Sequence, residues 1–247
     1  MNYFKTLIIS AITVSCALPA AAQFANSGNS TASSATPRRT VAISPYDRVS
    51  VSYVNTKLAN DAKGADDISL NGVGLDYIHG FSLSKSFPLY LETGVKATLS
   101  FFSREDCEWY NIWNDDADDE DFKTSFQTLS AAIPVNLAYK FTLSNGDVSI
   151  VPYLGLNFKL NLMAKGKEVY DPDSEYGDKE TEKYDMFDKK DMGDKDACFK
   201  RFQMGWHIGA GLNYRQLYIG LSYGTDFMEL CKKVNTSTFS VNVGYNF

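Results

Sequence analysis

The sequence predicts an all-β fold, an eight-stranded antiparallel up-and-down barrel, and three observations carry that expectation. Apolar and polar residues alternate with period two in eight separate segments. The connections between those segments are alternately long and short. Beyond residue 22 no apolar run is long enough for a transmembrane helix, yet several alternating segments reach the roughly 9–11 residues that cross a bilayer as a tilted strand.

The first segment sets Val49, Val51 and Tyr53 against Ser50 and Ser52. In the second, Val73, Leu75, Tyr77 and Phe81 oppose Gly74, Asp76 and Gly80; in the third, Leu89, Leu91, Val95, Leu99 and Phe101 oppose Tyr90, Glu92, Lys96 and Ser100. The fourth places Leu129, Ile133, Val135, Leu137, Tyr139 and Phe141 against Ser130, Asn136 and Lys140. The fifth has Ile150, Leu154, Leu156, Phe158, Leu160 and Leu162 against Tyr153, Asn157 and Lys159. Phe202 to Tyr214 and Leu217 to Tyr223 make the sixth and seventh, with Gln203, His207 and Asn213, then Gly220 and Ser222, on their polar faces. The eighth is FSVNVGYNF, whose Phe239, Val241, Val243, Tyr245 and Phe247 share one face.

The connections are 57–68, 83–86, 103–122, 143–146, 164–200, 215–216 and 226–235. A secreted soluble β-sandwich gives no reason for every second loop to be long. A transmembrane β-barrel does, because short periplasmic turns alternate with long extracellular loops and an even strand number returns both chain ends to one side. With 15 Tyr and 16 Phe against 3 Trp, the aromatic content also suits pleated strands. The formal net charge of −6 argues against a nucleic-acid partner.

Residues 1–22 have the layout of a signal peptide, with Lys5, an apolar stretch and Ala20/Ala22 before cleavage after Ala22. Residues 23–45 follow as a flexible polar leader, and 46–247 make the barrel domain. Cys16 leaves with the signal; Cys107, Cys198 and Cys231 allow one disulfide and one thiol, or three thiols.

Eight strands enclose a lumen that their own side chains fill. The inward set predicts a polar network of Asp76, Glu92, Lys96, Lys140, Lys159 and His207, whose mixed charges must pair because unpaired buried charges are costly. Glu92 and Lys96 are the pair that would gate a narrow path. Within DPDSEYGDKETE, Asp171, Asp173, Glu175 and Glu182 faintly match a calcium loop, but the Gly is one position late and no helices flank it; no metal site is expected. His79 is in phase with outward residues, and His207 faces inward between Gly205 and Gly209, so neither adjoins a Ser on its own strand. The 103–122 loop carries nine acidic residues and one basic, and 164–200 twelve and eight; such blocks stay hydrated.

A signal ending in AAAQ, eight alternating strands and the terminal FSVNVGYNF resemble the small outer-membrane β-barrel proteins of Gram-negative bacteria, the porin-family or outer membrane protein beta-barrel domain group. In architecture this group is similar to the outer-membrane protein A and X barrels. The resemblance covers residues 46–247. It implies an outer-membrane location, lipid as surroundings, and a last strand read by the barrel assembly machinery, with Tyr245 and Phe247 as recognition positions. The expected function is a non-enzymatic integral barrel, without cofactor, that displays acidic extracellular loops for envelope integrity, surface interaction with an extracellular ligand or envelope protein, or assembly of an envelope complex. The alternatives are a narrow channel for small solutes and, less favoured, a lipid-modifying enzyme.

Overall fold

Among the described residues ten strands follow one another: β1 (Tyr46–Asn60), β2 (Ile68–Ser82), β3 (Leu89–Glu105), β4 (Asp121–Tyr139), β5 (Phe141–Thr142), β6 (Val148–Asp171), β7 (Glu180–Asp185), β8 (Phe202–Tyr214), β9 (Leu217–Asp226) and β10 (Val234–Asn246). They come from a computed structural model that describes residues 43–60, 67–105, 121–143, 146–171 and 180–247. The expected signal peptide and all but the last residues of the expected leader lie outside the described residues.

Eight of the strands close a ring. β1 to β4 pair in sequence, β4 pairs β6, β6 pairs β8, and β8, β9 and β10 continue antiparallel until β10 returns to β1 with Val51 opposite Val243. β5 adds two residues to a short turn, and β7 forms a hairpin with the far end of β6. That hairpin is the structure hidden in the predicted 164–200 loop, and it adds no strand to the ring. Closure leaves the ring without an exposed edge.

The alternation does what its phase predicts. Val51, Leu75, Leu137, Leu154, Ile219 and Val243 point outward from six strands, each more than half exposed. On a water-soluble monomer so wide an apolar belt would drive association. Facing hydrocarbon, it loses nothing. Inward, Ser50, Asp76, Glu92, Asn136, Asn213 and Asn242 are buried. Among the described residues no helix is long and apolar enough to cross a membrane.

The walls differ in height. β9 has 10 residues and β6 has 24, so β3, β4, β6 and β7 stand above the rest of the ring at its long-loop end. The sequence expectation of loops over 103–122 and 164–200 is corrected here: strand continues to Glu105, resumes at Asp121, and runs on through Asp171. The reason is an inversion of polarity. Above the belt the outward positions become Ser103, Lys123, Ser125 and Gln127, while Phe102 and Phe126 turn inward. A bulge sets the phase of β6, whose pairing with β4 shifts between Leu129 and Ser130 with Leu162 as the extra residue. Beyond it Ala164 and Gly166 face in and Lys165 and Lys167 face out.

Candidate functional site

The lumen is built from the phase of the strands. Val49 and Val51 face lipid, so Arg48 must face in; Leu91 faces out, so Glu92 faces in. The guanidinium side chain is 5% exposed and the carboxylate fully buried. Arg48 Nη1 and Nη2 donate to the two Glu92 oxygens at 3.3 and 3.4 Å, and the Arg48 plane lies 4.0 Å from the centre of the Tyr218 ring. The Tyr46 hydroxyl also donates to Glu92, and Asn136 Nδ2 does so at 3.2 Å. Asn136 Oδ1 in turn accepts from His207 Nε2 at 2.7 Å.

Two glycines make this network geometrically feasible. Around one level of the ring the register runs Tyr46, Gly80, Glu92, Asn136, Gly155, His207. A Cβ on Gly80 would stand 2.6 Å from the Tyr46 ring, and one on Gly155 would stand 2.3 Å from Asn136 Oδ1. With no side chain there, Tyr46 reaches across β2 to Glu92, and Asn136 reaches across β6 to His207. Tyr46, Tyr90, Ala138, Val151 and Tyr153 then pack together with Ile43 and close the short-turn end.

In the middle of the lumen Lys96 Nζ lies 3.9 Å from Asp76, an ion pair without a direct hydrogen bond. A cavity of about 150 Å³ runs past it. Asp76 Oδ1, Asn157 Oδ1 and Asn242 Oδ1 are buried there without a protein partner. A polar space of this size is suited to ordered water. Towards the long-loop end Lys159 donates to Asp226 at 2.5 Å, and the Thr236 hydroxyl donates to the same oxygen. Gln203, 1% exposed, donates to Thr236 at 3.3 Å and accepts from Asn161 at 3.1 Å.

At the long-loop end lies an apolar cap. Ile68, Leu70, Phe126, Ala164 and Met186 form its buried core, with Leu58, Phe102, Phe187, Met192 and Phe199 against it. Leu230 and Val234 meet the same Leu58 and Phe199. The segment 186–200 therefore touches strands on several sides of the mouth. It is held by Phe199 N to Met186 O at 2.8 Å, Lys200 N to Leu230 O at 2.7 Å and Lys232 N to Asp196 O at 3.0 Å. Lys232 Nζ also pairs with Asp196 at 2.7 Å; this holds the Asp196 carboxyl below its ordinary range and pushes the Lys232 ammonium up. One helical turn, Lys189–Met192, is capped by Asp188, which accepts from Lys190 N at 2.9 Å. Cys198 and Cys231 are thiols, and burial pushes that of Cys231 up to about 11; Cys107 lies outside the described residues.

Of the expected lumen residues, Asp76, Glu92, Lys96, Lys159 and His207 are inside the barrel. Lys140 sits instead in the turn after β4, its ammonium 5.8 Å over the Tyr46 ring at the short-turn mouth. Sequence phase left the individual partners open; in the structure Glu92 takes Arg48 and Lys96 takes Asp76. Arg48 was legible from its phase with Ser50 and Ser52. Asp226 was not, because it falls in a predicted loop.

The acidic quartet is not assembled among the described residues. Asp173 and Glu175 lie outside them, Asp171 ends β6, and Glu182 lies on β7 opposite Glu168. The flanking elements are strands of a hairpin, not helices. No group of three His, Cys, Asp or Glu side chains among the described residues is placed to hold a metal. His79 faces out at the short-turn end, 2.7 Å from Asp47 Oδ1, which also accepts from Tyr77. Among the described residues no hydroxyl or thiol nucleophile bonds either imidazole. Tyr245 and Phe247 face outward at the same end, rings 6.0 Å apart, and the Phe247 N–H donates to Asp47 O at 2.9 Å.

Comparison with known proteins gives three results. The family model described as outer membrane protein beta-barrel domain matches residues 24–229. A comparison with curated proteins finds no match. Among solved structures, Ail, the attachment invasion locus protein of Yersinia pestis, is similar at 17% identity over 82% of this chain and 99% of its own, with TM-score 0.35. Neisserial surface protein A is 16% identical over 81% and 97%, with TM-score 0.38. The outer membrane enzyme PagL is 8% identical over 79% and 98%, with TM-score 0.36. Likeness at this level carries no argument about activity.

Proposed function

The chain belongs to the outer membrane protein beta-barrel domain family, and from that premise we propose that it is a non-conducting, non-catalytic anchor that presents a tall extracellular wall and its loops. What supports this reading is the packing of side chains at both ends of the lumen. The Arg48–Glu92–Tyr46 cluster closes the periplasmic end, and the cap of Leu70, Phe126, Met186 and Phe199 closes the extracellular end. The charged groups between them are paired, as a filled eight-stranded lumen requires. What remains for the outside world is the surface above the membrane, where β3, β4, β6 and β7 rise.

Display is tested by an epitope inserted at the exposed turn Gly193–Asp194. Antibody should bind intact cells. Binding only after permeabilisation of the outer membrane would contradict the reading.

A further inference from the structure

The outer face of the tall wall changes chemistry abruptly where it leaves the belt. Leu99, Leu129 and Met163 lie side by side on β3, β4 and β6. One step up the neighbours are Phe101, Gln127, Lys165 and Asp185; another step up they are Ser125, Lys167 and Lys183. All three lysines are exposed. The bulge at Leu162 directs Lys165 and Lys167 outward; without it they would enter the lumen.

The three lysines, with Phe101, Ser125, Gln127 and Asp185, line a groove of about 580 Å³. Lys167 and Lys183 stand directly opposite each other on paired strands. Like charges so placed repel, and among the described residues no carboxylate is within ion-pair reach of any of the three. This is a basic groove on a chain of net charge −6. It is concave, its three lysines outnumber the one carboxylate of Asp185 opposite Lys165, and it opens directly above an apolar track.

We propose that this groove binds the phosphate-bearing headgroup of an anionic lipid of the outer leaflet. Lys165, Lys167 and Lys183 take the phosphates, and Gln127 and Ser125 hydrogen-bond the polar headgroup. The acyl chains run down over Phe101, Leu99, Leu129 and Met163. Charge selects the ligand class, because ammonium groups near a membrane surface attract anionic lipid. Position selects a lipid over a free anion, because the apolar track continues the groove into the belt.

The test is binding to the full-length refolded protein in neutral detergent, read by native mass spectrometry. The probes are a bisphosphorylated glucosamine lipid, the same lipid dephosphorylated, and inorganic phosphate. The phosphorylated lipid should bind at least about tenfold more tightly than either other probe, and added salt should weaken it. The triple variant K165Q/K167Q/K183Q should lose at least about tenfold of that affinity, whereas K189Q/K190Q/K195Q, on the cap segment, should lose none. A gel-mobility shift confirms that each variant is folded, and K167Q alone, which relieves the like-charge pair, serves if the triple variant does not fold. Equal binding of the dephosphorylated lipid, equal binding of inorganic phosphate, or unchanged affinity in the lysine variants would overturn the proposal.

Discussion

Replacing Glu92 by Gln keeps the shape of the periplasmic seal and removes its only carboxylate. Arg48 is then left with its side chain 5% exposed and no counter-charge in contact. Breaking one partner of a buried pair costs about 3–5 kcal/mol. The low end applies here, because Gln can still accept from Tyr46 and Arg48, so the expected loss is about 3 kcal/mol, roughly a 150-fold shift in the unfolding equilibrium. The double variant R48M/E92Q removes the orphaned charge as well. It should be more stable than E92Q, with a coupling energy of about 2 kcal/mol. Urea titration of barrels refolded into vesicles, followed by the mobility of unboiled samples on gels, measures both values. An E92Q variant within about 0.5 kcal/mol of the parent, or a double variant equal to the sum of the singles, would refute the reasoning.

Two further outcomes follow from the cap. With its thiol pushed up to about 11, Cys231 exposes only about one thiolate in a thousand at pH 8, against about a quarter for a free thiol. Alkylation followed by mass spectrometry should therefore label Cys231 at least about a hundredfold more slowly than a model thiol, and equal rates would show that the cap is open. Asp196 titrates below its ordinary value because it pairs with Lys232. Its contribution is present above the unfolded-state pKa and is lost as pH falls through the folded one. Hydrogen exchange at 194–200 should stay slow from pH 7 down to about pH 4 and rise below it, after correction for intrinsic rates; a rise already near pH 6 would contradict the clasp.

Much of this architecture was written in the period of the sequence. Val49 to Tyr53 and Phe239 to Phe247 announce lipid-facing strands, because each needs one apolar face and the register of β1 against β10 only joins them. The eight period-two segments carried the strand count, and the alternation of long and short connections separated a barrel from a sandwich. What stayed illegible was the part above the membrane. There Phe102, Phe126 and Ala164 face in while Lys165 and Lys167 face out, so a search for outward apolar residues reads the same strands as loop. The bulge at Leu162 adds a second break in phase that composition does not mark.

The lumen was half legible. Phase alone put Asp76, Glu92, Lys96, Lys159 and His207 inside, but pairing depends on which side chain can pass over a neighbouring strand. Gly80 and Gly155 decide that by leaving room for Tyr46 and Asn136. Such a rule acts between strands far apart in sequence, and it appears only once the register is known. The partner of Lys159 was hidden for a plainer reason: β9 extends to Asp226, beyond the end of its apolar face.

The account stands or falls on the sealed lumen. Purified barrels inserted into planar bilayers should show no steady single-channel conductance, because the Arg48–Glu92 seal and the cap of Phe126, Met186 and Phe199 each block the path. A steady open level, reproducible across insertions and abolished by denaturing the protein beforehand, would contradict it.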